Sequence, residues 1–354
     1  MAHPLDDLSF VKRLDPKDML GLTERFPAQC REALAIARAA DLPPLSNPPT
    51  LAMLTGLGGS AAGGDFVRAL FEAQGSCPFQ VNRDYSLPSF AGPGTLLFAV
   101  SYSGNTEETL AAYADAKKKG CPIIAVTSGG KLAELAAADG YPLIRVPGGQ
   151  PPRTALGYLL IPVVAACEAL GLLPAQPFEE AFAALDEGVR AWGAEVPYDQ
   201  NPTKQLAQSL FGKVSVLYGL GGWQGVVAGR WKAQINENSK NHTFAHAFPE
   251  LNHNEILGWV ACGKQNAKHW AIVLLHDGTE SAKLKARARI TFEMIGDRAQ
   301  VFEARALGQS LLARMLSLTF FGDWTSIYLA ALNEVDPENI DWLNHLKGEL
   351  ANIP

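Results

Sequence analysis

The sequence predicts an α/β protein of two doubly wound, parallel-sheet halves related by internal duplication, with further helices at both ends. Three observations carry that prediction. Between Thr50 and Gly140 an apolar run, a small-residue turn and an amphipathic continuation recur three times in succession. Parallel strands need crossover connections of this kind. "LTGLGG" at Leu54–Gly59 returns as "LYGLGG" at Leu217–Gly222, and "LLFAVSYSGNTEET" returns in degraded form as "AIVLLHDGTESAKL". Two echoes in the same order point to duplication more strongly than either would alone. A chain of 354 residues also has room for two domains.

In chain order, residues 1–47 read as a helical segment, most periodic at "REALAIARAA" and stopped by the prolines of "LPPLSNPP". Residues 48–195 form the first α/β domain, with strand, loop and helix in "TLAMLTGLGGSAAGGDFVRALFEA", "GTLLFAVSYSGNTEETLAAYADAKKKG" and "CPIIAVTSGGKLAELAAADG". The boundary falls at "VPYDQNPTKQL", Val196–Leu206, where Pro, Asp and Asn interrupt two helical stretches. Residues 196–354 form the second domain, and its terminal helices break once at Val335-Asp336-Pro337.

Composition removes several classes of function. Lys and Arg number 30 against 36 Asp and Glu, a net charge of −6, and the one short basic run is Lys117–Lys119. Nucleic acid is therefore not an expected partner. Cys30, Cys77, Cys121, Cys167 and Cys262 are scattered without CxxC spacing, which fits reduced thiols rather than a disulfide framework or a zinc site. "MAHPLDDLSFVKRL" has no apolar signal core, and no window reaches the roughly 18–20 apolar residues of a membrane span. The expectation is a cytoplasmic protein with no membrane partner.

The richest chemistry lies in "SYSGNTEETL". A loop leaving a strand and entering a helix presents backbone N–H groups and the positive end of the helix dipole, so it favours an anion. Ser101, Ser103 and Thr106 add three hydroxyls at spacings that let them converge on one tetrahedral group, and Gly104 lets the backbone approach. Ordinary capping by Asn105 or Thr106 is the alternative, but it leaves two hydroxyls unused. In the second-half echo, "LHDGTES", Asp277 stands where a hydroxyl stood and would repel phosphate. Only the first half is expected to bind the anion.

"GLGGSAAGGD" fits the dinucleotide fingerprint in its permissive form, Gly56-x-Gly58-x-x-Ala61. A nicotinamide cofactor would also want an acidic residue about 20 residues on, and Asp84 comes late. Gly58, Gly59 and Ser60 are better read as close-approach backbone beside the same small ligand. His242 and His246 stand four apart without the glutamate of HExxH or a further ligand, and read as structural.

Together these loops, with "PRTALGYL", "NENSKN", "FPELNHNEILGW" and "GDWTSIYLAALNEVDP", resemble the bifunctional phosphoglucose/phosphomannose isomerase family of archaea and bacteria. The serine loop resembles the signature loop of the sugar isomerase (SIS) fold, and the resemblance runs from about Thr50 to the carboxyl terminus. It implies flavodoxin-like SIS halves and aldose–ketose isomerisation of glucose-6-phosphate, with mannose-6-phosphate activity, through a cis-enediol. By the same resemblance Ser101, Ser103 and Thr106 hold phosphate with Gly59 and Ser60 close by. Glu237 transfers the proton between C1 and C2, His253 opens the ring, Arg153 stabilises the intermediate and Lys347 assists. Neither metal nor cofactor is implied.

The resemblance further implies a homodimer with His253 supplied in trans, for which the apolar "FGDWTSIYLAAL" would offer surface. Ala61 and Ala62 stand where the family usually has glycine and isoleucine. The discrimination between sugars is expected around Glu338–Ile340. On residues alone, Glu237 among Asn236, Asn238 and Lys240 would read as a solvated helix face. The rival functions are a non-catalytic sugar-phosphate-binding regulator and, from the glycine loop, an NAD-dependent oxidoreductase.

Overall fold

Strand and helix alternate through most of the chain in the computed structural model, which describes residues 3–350. Three helices come first: α1 (Leu8–Arg13), α2 (Met19–Glu24) and α3 (Phe26–Ala39). Asp7 caps α1 by accepting from the N–H groups of Ser9 and Phe10, and the buried Asp15 carboxylate accepts from Met19 and Leu20 at the start of α2.

The next stretch supplies β1 (Leu51–Thr55), α4 (Gly58–Gln74), β2 (Phe79–Asn82), β3 (Thr95–Val100), α5 (Glu107–Lys118), β4 (Ile123–Thr127), α6 (Gly130–Asp139), β5 (Leu143–Arg145), α7 (Leu156–Ala169) and α8 (Phe178–Trp192). The five strands form a parallel sheet in the order β2-β1-β3-β4-β5. Every residue of β3 and β4 is buried, the pattern of strands covered on both faces.

Asn201 then caps α9 (Pro202–Leu210), its side chain accepting from Thr203 and Lys204. The chain continues through β6 (Val214–Gly219), α10 (Gly222–Ser239), β7 (Thr243–Ala247), β8 (Trp270–His276), α11 (Ala282–Ile295), β9 (Gln300–Arg305), α12 (Leu311–Leu332) and α13 (Asp341–Leu350). These four strands are again parallel, in the order β7-β6-β8-β9.

The order repeats that of the first four strands of the larger sheet, as duplication requires. The register repeats too: Leu54 pairs with Phe98 in one sheet and Leu217 with Val273 in the other, and these are the residues that the sequence echoes align. Among the described residues the smaller sheet has no counterpart of β5.

The chain packs as two compact units. Arg25–Leu185 with Gly308–Met315 makes the amino-terminal unit, with a core that includes Met53, Leu97, Tyr113, Ile123 and Leu132. The remaining segments make the carboxyl-terminal unit, with a core that includes Val216, Tyr218, Leu251, Ile272 and Ile295.

Two expectations need correction. The 22-residue α12 is long and apolar enough to cross a membrane, with a mean hydropathy of 1.2 over 18 residues, although 94 % of that window is buried within the chain. For the same reason "FGDWTSIYLAAL" is interior, buried from Phe321 to Ala331, and offers no open surface for a second subunit. The five cysteines are free thiols, and burial pushes those of Cys30 and Cys167 far up.

Candidate active site

A sheet in the order 2-1-3-4-5 reverses its winding between β1 and β3, and ligands enter such sheets in the crevice outside the carboxyl ends of those strands. Pairing of Thr55 with Ala99 brings the loops after β1 and β3 out side by side. A Cβ on Gly56 would lie 2.8 Å from the Val100 carbonyl oxygen. The two loops singled out in the sequence therefore meet at the switch point of the amino-terminal unit.

The glycine loop enters α4 at Gly58, whose φ of +52° is left-handed, and Leu57 provides no side-chain cap. Ser60 is buried in the first turn. A Cβ on Gly59 would come within 2.9 Å of the Pro152 carbonyl oxygen, so glycine lets the turn Pro152–Thr154 sit against this helix end. That turn carries the buried Arg153. Gln29 of α3 fixes the same segment, donating to the Thr154 carbonyl at 2.9 Å and accepting from Gly157 N–H at 2.8 Å.

In the hydroxyl loop, Ser101 is buried, Thr106 half-buried and Ser103 exposed. Ser101 Oγ and Thr106 Oγ1 lie 2.9 Å apart, and Ser101 Oγ accepts from Gly104 N–H at 3.1 Å. The capping alternative fails here. Thr106 stands at the N-cap of α5 but makes no side-chain cap bond, and the Asn105 side chain accepts from Lys131 at the start of α6 instead. Two hydroxyls sharing one mutual bond can turn their protons outward. Beside an uncapped helix end, they offer the chemistry of an anion cradle.

The duplicated loop in the carboxyl-terminal unit answers differently. Glu280 Oε1 accepts from Asp277 N–H at 2.7 Å and Oε2 from Gly278 N–H at 3.0 Å. Asp277 in turn accepts from the N–H and hydroxyl of Thr279. An internal carboxylate thus occupies the backbone donors that an incoming anion would need. Asp277 was the residue noted in the sequence; Glu280, three residues on, does more of the work, and its spacing within "DGTE" was the available signal.

The other candidates lie in the carboxyl-terminal unit. Glu237 is half-buried in the last turn of α10 and lines a cleft of about 540 Å³ with Lys240, His242, Asn339, Ile340 and Trp342. Its neighbours are divided: Lys240 is exposed and Asn236 half-buried, but the polar side chains on the inner face are fixed. Asn238 is 1 % exposed and donates to Ser326 Oγ at 2.9 Å, Gln234 donates to Asp323 at 2.8 Å, and Trp231 donates to the Leu318 carbonyl at 2.8 Å. Burial raises the Asp323 pKa against the opposing pull of Arg230.

His253 ends the short 3-10 turn Glu250–His253 and is exposed. It stands between anchored residues: Asn252 donates to Thr291 Oγ1 at 2.8 Å and Asn254 to Glu250 at 3.0 Å. Lys347 lies exposed on α13. The structure thus groups Gly58, Gly59, Ser60, Ser101, Ser103, Thr106 and Arg153 in the amino-terminal unit, and holds Glu237, His253 and Lys347 in the other.

His246 Nδ1 donates to Glu255 at 2.8 Å, and Glu255 also accepts from Tyr218 at 2.6 Å. With His242 just before β7, four residues of extended chain separate the two histidines by about 13 Å, too far for a shared ion. Among the described residues no three His, Cys, Asp or Glu side chains gather as a metal site.

Residues 50–139 match the model of the SIS domain, and residues 199–350 match that of the bacterial phospho-glucose isomerase C-terminal SIS domain. The bifunctional phosphoglucose/phosphomannose isomerase of Caldicellulosiruptor bescii is 41 % identical over 93 % of this chain and 97 % of its own. The chain belongs to the bifunctional phosphoglucose/phosphomannose isomerase family. A second member of the family, from Thermoplasma acidophilum, is 34 % identical over 84 % of this chain and 89 % of its own. Among solved structures, a hypothetical protein from Thermus thermophilus shares the fold with a TM-score of 0.76 at 17 % identity, covering 98 % of this chain and 94 % of that one.

Proposed function

We propose that this chain is an isomerase that interconverts glucose-6-phosphate and mannose-6-phosphate with fructose-6-phosphate through a cis-enediol. The observation that carries the reading is the anion cradle at the β1/β3 switch point, in a chain 41 % identical to an enzyme of that name over nearly its whole length. A regulator needs the cradle but not the accompanying Glu237, His253, Lys347 and Arg153. An oxidoreductase leaves the hydroxyl pair unexplained.

In the proposed mechanism the phosphate is held by Ser101, Ser103 and Thr106, with Gly58, Gly59 and Ser60 giving close-approach backbone. Anchoring that end spends binding energy on orienting C1 and C2. Glu237 removes a proton from one carbon and returns it to the other, as a general base and then a general acid. His253 opens the pyranose ring, Arg153 offers positive charge to the developing enediolate, and Lys347 assists at the ring or enediolate end. The proton moves between two carbons of one substrate, so the reading calls for neither metal nor cofactor.

The exposure of His253 supports the further proposal that it serves a neighbouring subunit of a homodimer. The apolar α12 cannot supply that contact, so the dimer surface lies elsewhere. We place the enzyme in the cytoplasm, without nucleic acid or membrane partners. A coupled assay of fructose-6-phosphate formation, run in chelator with each aldose in turn, tests the reaction. Turnover of both sugars supports it. Stabilisation by sugar phosphate without turnover would leave a binding protein.

A further inference from the structure

The cleft that holds Glu237 has walls from two distant stretches of chain, the end of α10 and the segment 339–343 leading into α13. Lys240 joins them. It follows α10 in the left-handed conformation, with φ of +51°, and its side chain folds back over the helix end. Nζ donates to the carbonyl oxygens of Glu237 at 2.8 Å and Asn238 at 3.4 Å. The same ammonium donates to those of Asp336 at 2.7 Å and Pro337 at 3.3 Å. Three protons serve four acceptors, and the two shortest bonds run one to the end of α10 and one to the turn at Asp336–Pro337, just before the second wall.

A cation at this place is well matched chemically. The last carbonyls of a helix lack intrahelical partners and carry the negative end of its dipole. The last turn of α10 is secured independently of Lys240, because Asn238 and Ser239 bond Ser326, and Trp231 bonds Leu318 further up the helix. Loss of the Lys240 ammonium would therefore leave the helix and Glu237 in place. It would free the turn at Asp336–Pro337, which leads into the opposite wall, from the helix end.

We propose that Lys240 is a positioning residue for the Glu237 cleft, clamping the Asp336–Pro337 turn to the fixed last turn of α10 and so setting the width of the cleft in which the carboxylate acts. The proposal rests on the reading of Glu237 as the proton-transferring base. Lys240 reaches backbone carbonyls and is given no direct part in the chemistry. A misplacement of about an ångström between base and substrate costs on the order of a hundredfold in rate, so the clamp should appear in kcat.

The test compares Lys240→Met, Lys240→Arg and Glu237→Gln in the full-length protein, with glucose-6-phosphate as substrate. For Lys240→Met the expected result is a fall in kcat of roughly ten- to a hundredfold, with KM changed much less and a similar thermal midpoint. Lys240→Arg, which keeps a charged multiple donor, should recover most of the loss. If Lys240→Met does not fold, Lys240→Gln, with two donors on a shorter stem, should show an intermediate fall.

A wild-type kcat in Lys240→Met or Lys240→Gln, or no recovery in Lys240→Arg, overturns the proposal when Glu237→Gln is inactive. An active Glu237→Gln instead overturns the base assignment beneath it.

Discussion

Replacing Ser101 with alanine asks whether the hydroxyl pair binds an anion or merely stabilises a loop. In the free protein Ser101 Oγ and Thr106 Oγ1 share one bond of 2.9 Å. An arriving phosphate exchanges that neutral bond, worth about 1 kcal/mol, for charge-assisted ones worth about 1.5–3 kcal/mol each. Ser101→Ala loses one charge-assisted bond but no longer has a mutual bond to break. The net loss is about 0.5–2 kcal/mol of phosphate affinity, or roughly 2- to 30-fold. Steady-state kinetics should place it in KM, and competition by inorganic phosphate should weaken by the same factor. Thr279→Ala, in the loop already occupied by Glu280, should leave both unchanged. Equal effects at the two positions, or no effect of Ser101→Ala on phosphate competition, would refute the assignment of the anion to the first half.

Fructose-6-phosphate should saturate the protein at one molecule per chain in equilibrium dialysis, because Glu280 already fills the second loop; two per chain would contradict this. Gly104→Ala places a Cβ 1.8 Å from the Gly129 carbonyl oxygen at a φ of +70°, and should cost about 3 kcal/mol or more in chemical denaturation. Asp115 is held below its ordinary 3.8 by the Leu87 N–H, with help from Lys119. A lowered carboxylate pKa means that the unfolded chain binds more protons in acid, so this contribution is present above about pH 4 and fades as pH falls through the folded value. Asp115→Asn should flatten the acid limb of a melting-temperature profile; an unchanged slope would contradict that.

Much of the fold was legible because the signals were local. Strand, small-residue turn and helix follow one another within about 25 residues in each unit, and the echoes around Leu54 and Leu217 carry the register of both sheets. The uncapped hydroxyl pair was legible for the same reason, since capping could be set against hydroxyl count within "SYSGNTE". What lay hidden depends on partners far away in the chain. Nothing near Gln29 announces that it fixes the turn beside Arg153, more than 120 residues on. The polar stretch around Glu237 looked wholly solvated because Ser326 and Asp323, the partners of its buried Asn238 and Gln234, follow almost 90 residues later. The apolar end of the chain looked like an interface, since apolarity alone does not separate a core helix from an exposed one.

The most direct test of the central claim is deuterium incorporation from heavy water into fructose-6-phosphate at carbon 1, measured for the wild type and Glu237→Gln. A base that carries the proton through an enediol predicts incorporation by the wild type and neither exchange nor isomerisation by the variant. Exchange that persists in Glu237→Gln would contradict the role given to this residue, and the mechanism would need another base.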